Sequence, residues 1–248
     1  MSYHLPRLGD DPLAPFPDAE TALRRPDGLL AFGGDLSPPR LLNAYANGIF
    51  PWFSAGQPIL WWSPDPRTLF RTDGVRLSSR FRRDLRGPSS GMSRWTIRAD
   101  TAFEAVIRAC ASVPRRGQDG TWITGEMLAA YAELHRLGHA HSVEVFDGVR
   151  LVGGLYGVAV GRMFFGESMY SGESGGSKLA LAGLARRLAA WGWPLIDAQV
   201  GSAHLFSLGA ESWPRGDFLA RVRALASIPE PSGAWTARFG TLPVSDLT

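Results

Sequence analysis

Two acids lie where an acid is costly. Asp197 sits inside the otherwise apolar run Leu195-Ile-Asp-Ala-Gln-Val200, and Glu167 sits among Phe164, Phe165, Met169 and Tyr170. A carboxylate in such surroundings must be paired, hydrogen-bonded or used in chemistry. Read as a strand, 195–200 puts Asp197 and Gln199 on one face, where one can orient the other. An acid and an amide so placed suit proton transfer or the holding of a cationic group. The plainer alternative for Asp197 is a buried acid hydrogen-bonded to backbone. Metal chemistry has little support: His139 and His141 can share a strand face, but no third ligand recurs at a matching spacing. Cys110 falls among the apolar neighbours Val106 and Ile107 and reads as core rather than as a nucleophile.

The elements that must position these residues follow from periodicity and punctuation. Three strand-like segments, 141–146, 150–159 and 162–170, are separated by Asp147-Gly148 and Val160-Gly161 and predict an antiparallel meander. The small-residue loop Gly172-Glu-Ser-Gly-Gly-Ser177 then leads into a helix over 178–191, with Leu179, Ala182, Leu184, Ala185 and Leu188 at helical spacing. Ser177 is the expected N-cap and Gly192 the stop. Upstream, Ser37-Pro38-Pro39 predicts a helix start, Thr101-Ala-Phe-Glu104 a capping box, and 126–137 a helix ended by Gly138; a last helix is expected around 217–225. The segments 49–54 and 59–67 concentrate Trp52, Trp61 and Trp62 among prolines. They read either as a small core filled by tryptophan or as a ligand wall. Between 76 and 86, Leu77, Phe81 and Leu85 recur every four residues, so a helix there would turn its arginines to solvent. Such a stripe suits a phosphate backbone, although a solvated helix face is the plainer reading.

With 248 residues, 45% of them hydrophobic, the chain can bury one large core or two smaller ones. The net charge of +3 says little about partners. A single cysteine excludes an internal disulfide, and no opening apolar segment resembles a signal peptide or a membrane span, so a soluble, cytoplasmic protein without membrane association is expected.

The meander, helix and further strand are the order of an acetyltransferase-like (GNAT-type) α/β fold, an analogy that by itself assigns no function. The blocks Ile49-Phe-Pro-Trp-Phe-Ser54, Trp61-Trp-Ser-Pro-Asp-Pro-Arg67, Gly120-Thr-Trp-Ile-Thr124, Leu137-Gly-His-Ala-His-Ser142, Val152-Gly-Gly-Leu-Tyr-Gly-Val158, Phe165-Gly-Glu-Ser-Met169 and Leu195-Ile-Asp-Ala-Gln-Val200 together resemble the bacterial leucyl/phenylalanyl-tRNA protein transferases, in that family's order. The resemblance implies an α/β (α+β) protein with a small N-terminal domain, placed at 1–70, ahead of an acetyltransferase-like catalytic domain, 71–248. It implies transfer of leucine, phenylalanine or methionine from the corresponding aminoacyl-tRNA to the N-terminal amine of proteins beginning with Arg or Lys, which creates a degradation signal. No cofactor or metal is implied, and the enzyme is expected to act as a monomer. Position by position, Trp52, Trp122, Phe164 and Met169 match the walls of the side-chain socket. Leu188 stands where members of the family often carry an aromatic, which implies a wider socket, and Gly175 stands where an asparagine is common. Asp197, Gln199 and Glu167 are then the catalytic candidates, and Arg76, Arg80, Arg82, Arg83 and Arg86 the tRNA-binding ones. An aminoacyl ester is already activated, so attack by an amine needs positioning, loss of a proton and stabilisation of the oxyanion. Either acid, or the tRNA ribose hydroxyl, remains open as the group that takes the proton.

Two other readings come from different classes. An acetyl-CoA-dependent N-acetyltransferase would share the fold, but the loop Ser171-Gly-Glu-Ser-Gly-Gly-Ser177 carries an acid where a pyrophosphate would sit. A non-catalytic tRNA-binding protein would account for the arginine stripe alone.

Overall fold

Alternation along the central strands decides the layering. In the computed structural model, which describes residues 5–87, 91–112 and 123–247, the expected meander is present as β7 (Ala140–Asp147), β8 (Arg150–Val160) and β9 (Met163–Ser171), paired antiparallel. Helix α5 (Gly176–Ala190) returns the chain so that β10 (Leu195–Gln199) lies parallel to β9. With β5 (Arg67–Arg71), β6 (Thr96–Ala99), β11 (Glu211–Trp213) and β12 (Leu242–Pro243), they build an eight-stranded mixed sheet of order β11-β5-β10-β9-β8-β7-β6-β12. Neighbouring residues point to opposite faces. Leu69, Phe165 and Leu195 join one core cluster, while Phe70, Phe164 and Ile196 join the other.

The first cluster is covered by α3 (Phe103–Ser112), α4 (Gly125–Arg136) and α7 (Arg215–Ala226), together with an N-terminal unit. In that unit β1 (Arg7–Leu8), β2 (Leu29–Gly33), β4 (Leu60–Trp62) and β3 (Phe50–Pro51) form a second sheet in that order, and α1 (Pro38–Ala46) packs on β8. The residue-70 boundary expected from the sequence falls within β5, whose residues all belong to the larger sheet. The second cluster lies under α5, where Leu179, Leu184 and Leu188 are buried. Helix α2 (Ser79–Arg86) leans on this side through Leu77, Phe81 and Leu85. Short helices α6 (Ala203–Ser207) and α8 (Thr236–Phe239) complete the chain.

Two expected caps are corrected. Helix α5 starts two residues earlier than the spacing predicts: Gly175, at φ +93°, is the cap. Ser177 lies in the first turn, where its N–H donates to Ser171 Oγ at 2.9 Å. Glycine is required at 175, because a Cβ there would stand 2.6 Å from the Phe81 ring and the backbone is left-handed. The capping box at Thr101 does not form. The Thr101 hydroxyl instead donates to Glu144 at 2.8 Å, and Glu104 pairs with Arg108 one turn on. His141 is structural, as expected, with Nδ1 2.8 Å from Asp100 Oδ2 and its ring stacked on Trp235 at 3.9 Å. Cys110 is buried core.

Candidate active site

Two β-bulges at the same level open the larger sheet. Strands β9 and β10 pair in parallel only as far as Phe165 and Asp197. Immediately beyond, Glu167 is an extra residue in β9 between the pairs Gly157–Gly166 and Tyr156–Ser168. Likewise Ala198 is an extra residue in β10 between Asp197–Leu69 and Gln199–Thr68. A bulge bends and twists its strand and leaves backbone unpaired, so the two strands part here. The bulge in β9 also inverts the alternation, which lets Phe164 and Met169, five apart, face the same side.

The cavity in this split has a volume of about 570 Å³ and is lined by residues from both faces of the sheet. Towards α5 it is apolar, walled by Phe70, Leu155, Phe164, Met169, Leu181, Leu184 and Ile196. Towards the N-terminal unit it meets Phe50, Trp52, Tyr156, Glu167 and Gln199, and the mouth is edged by Val200, His204 and Leu205. Trp52 is 36% exposed at this rim, whereas Trp61 is fully buried and donates its indole N–H to the Gly33 carbonyl at 2.9 Å. The tryptophan-rich segment is therefore both core, through Trp61, and cavity wall, through Trp52.

Asp197 is sealed in. Arg67 grips it in two parallel bonds, Nε to Oδ1 at 2.8 Å and Nη2 to Oδ2 at 2.6 Å, with both side chains at zero exposure. The guanidinium lies between the rings of Phe50 and Phe218, 4.9 and 4.5 Å from their centroids, and a further donor reaches the Gly48 carbonyl. Asp197 Oδ1 also accepts the Gln199 backbone N–H at 2.9 Å, which holds Gln199 at φ +55°. The expected pairing of Asp197 with Gln199 thus runs through the backbone across a bulge, not between side chains on a flat strand. The Gln199 amide points elsewhere: its Nε2 donates to Glu167 Oε1 at 3.0 Å.

Glu167 is the acid that faces the cavity, and it is partly exposed. Its Oε2 accepts a hydrogen bond from Tyr131 at 2.9 Å, and the Tyr131 hydroxyl is bonded in turn to that of Tyr45 from α1. Burial pushes the Glu167 carboxyl up to about 7; the negative charge of Asp197 adds to this, while the two phenols and Arg67 oppose it. Burial also holds both phenols well above their ordinary range, so they remain donors.

The structure brings Asp197, Gln199, Glu167, Trp52, Phe164 and Met169 together around one cavity. Trp122 lies outside the described residues. Leu188 does not reach the cavity. It sits two turns beyond Leu181 on α5, roughly 10 Å along the axis, and is wholly buried in the core beneath the helix. Leu181 and Leu184 take the place that the sequence gives to Leu188. The arginines occupy a separate surface: Arg76, Arg80, Arg82, Arg83 and Arg86 are all exposed on or beside α2. Arg82 also donates back to the Leu77 carbonyl at 3.0 Å. Phe81 joins this surface to the first turn of α5, where it packs on Gly175 and carries the Lys178 ammonium 5.6 Å from its ring centroid. Sequence reasoning missed Arg67, Tyr45 and Tyr131. Arg67 closes the block Trp61-Trp-Ser-Pro-Asp-Pro-Arg67, so its signal was present, while nothing local marks Tyr45 or Tyr131 as part of a site.

Comparison with known proteins matches residues 69–223 to the family model described as leucyl/phenylalanyl-tRNA protein transferase, and residues 34–65 to the model of that family's N-terminal domain. A protein of Xanthomonas euvesicatoria named leucyl/phenylalanyl-tRNA protein transferase is 70% identical over 97% of this chain and 94% of its own length. Proteins of the same name from Xanthomonas axonopodis and Xylella fastidiosa are 66% and 64% identical, covering 100% and 94% of this chain and 98% and 94% of theirs. No helix among the described residues is long and apolar enough to cross a membrane.

Proposed function

The chain belongs to the leucyl/phenylalanyl-tRNA protein transferase family and is an aminoacyltransferase, and from that premise we propose how its cavity carries out the transfer and on what substrates. Leucine, phenylalanine or methionine enters from aminoacyl-tRNA and is joined to the N-terminal amine of a protein beginning with Arg or Lys, a product that marks the protein for degradation. The observation that carries this reading is the split between β9 and β10, apolar on one face of the sheet and polar on the other. The side chain of the transferred amino acid occupies the socket of Phe164, Met169, Leu181 and Leu184, selected by size and hydrophobicity. Trp52 encloses it from the N-terminal unit, and the family resemblance assigns Trp122 to the same socket. The ester carbonyl then lies at the level of the bulges, beside Glu167 and Gln199.

Attack follows from that placement. The lone pair of the acceptor's neutral amine forms the C–N bond to the ester carbon, and the carbonyl pair moves onto oxygen. When the tetrahedral species collapses, the C–O bond pair leaves with the ribose oxygen. The proton shed by nitrogen passes to Glu167, which then returns it to that oxygen. A carboxyl poised near neutrality suits both halves of this exchange. Asp197 acts one step removed: with Arg67 it fixes the bulge that aims Gln199 at Glu167. The exposed arginines of α2 hold tRNA phosphates and add affinity without selecting the amino acid. We assign the part up to about residue 66 to the N-terminal domain and the rest to an acetyltransferase-like catalytic domain that works as a cytoplasmic monomer.

The test is transfer of labelled leucine from Leu-tRNA to peptides that differ only in their first residue. Arg- and Lys-initiated peptides should take up label and Asp-initiated ones should not; equal labelling of all three would overturn the acceptor assignment. A chain that binds tRNA and labels no peptide would favour the non-catalytic reading.

A further inference from the structure

A general base is only as good as its aim, and the aim of Glu167 is set from two other elements. Its Oε2 accepts from Tyr131 on α4, and Tyr131 is bonded to Tyr45 on α1 of the N-terminal unit. A phenol has one proton to give. With the Tyr131 proton given to Glu167, the Tyr45 hydroxyl is left to donate to Tyr131 or to Glu167 itself, so both phenols serve the carboxylate. Both tyrosines are fully buried, and their rings are locked by packing, Tyr45 against Phe165 at 5.1 Å and Tyr131 against Tyr156 at 5.6 Å. Oε1 is the other oxygen; it accepts from the Gln199 amide, and both residues line the cavity.

We propose that Tyr131 and Tyr45 are positioning residues for transfer, a hydrogen-bonded phenol pair that fixes the Glu167 carboxylate so that Oε1 is the oxygen presented to the incoming amine. This rests on the reading above in which Glu167 takes the amine's proton. It also gives the N-terminal unit a part in the chemistry, because α1 supplies the outer member of the pair. Pure packing would be served as well by phenylalanine at both positions. What phenylalanine cannot supply is the stabilisation of the ionised carboxylate. The groups facing Glu167 are Tyr131 from α4, Tyr45 from α1, Tyr156 from β8, Gln199 and Asp197 from β10, and Arg67 from β5. Of these, Tyr131 and Tyr45 can lose their hydroxyls without disturbing the buried Arg67–Asp197 pair.

The experiment is the pH dependence of kcat/KM for the full-length protein and its Tyr131→Phe, Tyr45→Phe and Glu167→Gln variants, with KM for Leu-tRNA and the melting temperature measured alongside. In Tyr131→Phe the acid limb should move upward by roughly one pH unit, because a hydrogen bond to the charged form is lost. The rate below the limb should therefore fall about tenfold, recover at higher pH, and leave KM for Leu-tRNA unchanged. Tyr45→Phe should move the limb in the same direction, since its hydroxyl supports the same carboxylate, and it carries the test if Tyr131→Phe does not fold. Glu167→Gln should abolish the limb. A limb that stays in place in both tyrosine variants, with rates lowered equally at every pH, overturns the proposal and leaves Glu167 as base. A limb that survives in Glu167→Gln overturns the reading of Glu167 itself, and the proposal with it.

Discussion

Replacing Asp197 with asparagine keeps the shape of the side chain and removes its charge, and the structure sets what that should cost. Asp197 and Arg67 have no exposed side-chain surface, and the pair makes two parallel bonds of 2.6 and 2.8 Å. Removing one partner of a buried pair leaves the other as an uncompensated charge, at about 3–5 kcal/mol. For a chain of this size, at roughly 2–4 °C per kcal/mol, the melting temperature should fall by roughly 6–20 °C. Urea unfolding followed by tryptophan fluorescence measures the same loss directly. The double variant Arg67→Gln, Asp197→Asn should be no less stable than Asp197→Asn alone, because the second change removes the stranded charge. Transfer per folded molecule should drop as well, since the Asn NH2 that replaces one oxygen cannot accept from Arg67, and the remaining oxygen that holds the Gln199 backbone at φ +55° is no longer fixed in place. An Asp197→Asn protein with undiminished stability and abolished transfer would refute this reasoning and make Asp197 the group that acts on the amine.

Glu167 should leave a signature in stability as well as in rate. Its carboxyl is raised to about 7, so its favourable contribution is complete below the unfolded value near 4.5 and is lost as pH rises through about 7; unfolding free energy measured against pH should decline less over that window in Glu167→Gln. In the socket, Leu181→Ala removes wall from an apolar cavity and should raise the Phe:Leu ratio of kcat/KM by roughly tenfold, within the ~1–3 kcal/mol that hydrophobic shape discrimination supplies; competition between the two charged tRNAs reads it, and an unchanged ratio would place the side chain elsewhere. Replacing Arg80 and Arg83 together with alanine should weaken all aminoacyl-tRNAs alike and reduce the log–log salt slope of binding by roughly 0.7–0.9 per lost phosphate contact; an unchanged slope would make α2 a solvated face.

Much of this layout could be read before the structure. The meander, the helix after the glycine-rich loop and the helix behind Ser37-Pro38 rest on periodicity and on turn residues, which act locally, and each forms where the spacing puts it. The site acids were found because a charge in an apolar strand must have a reason. What escaped was everything set by pairing between distant segments. Nothing in Gly166-Glu-Ser168 or Asp197-Ala-Gln199 announces an extra residue, because a bulge is defined by the partner strand, so period-two reasoning carried Asp197 and Gln199 past it as though the strand were flat. Arg67 is 130 positions from the acid that it pairs, and Tyr45 is 86 from Tyr131. The cap at Ser177 failed for a related reason: glycine at 175 answers to Phe81 on another helix. Leu188 was misplaced by correspondence rather than by physics, since helical rise alone puts Leu181 and Leu184 nearer the bulges.

The central claim is that the cavity joins an amino acid from tRNA to an α-amine. It is tested most directly by mass spectrometry of a defined peptide, Arg-initiated and containing an internal lysine, incubated with Phe-tRNA and the protein. The account predicts a gain of a single phenylalanine residue, located by fragmentation on the α-amine, and no gain on the same peptide acetylated at its N-terminus. Phenylalanine on the internal lysine, or on the acetylated peptide, would contradict it.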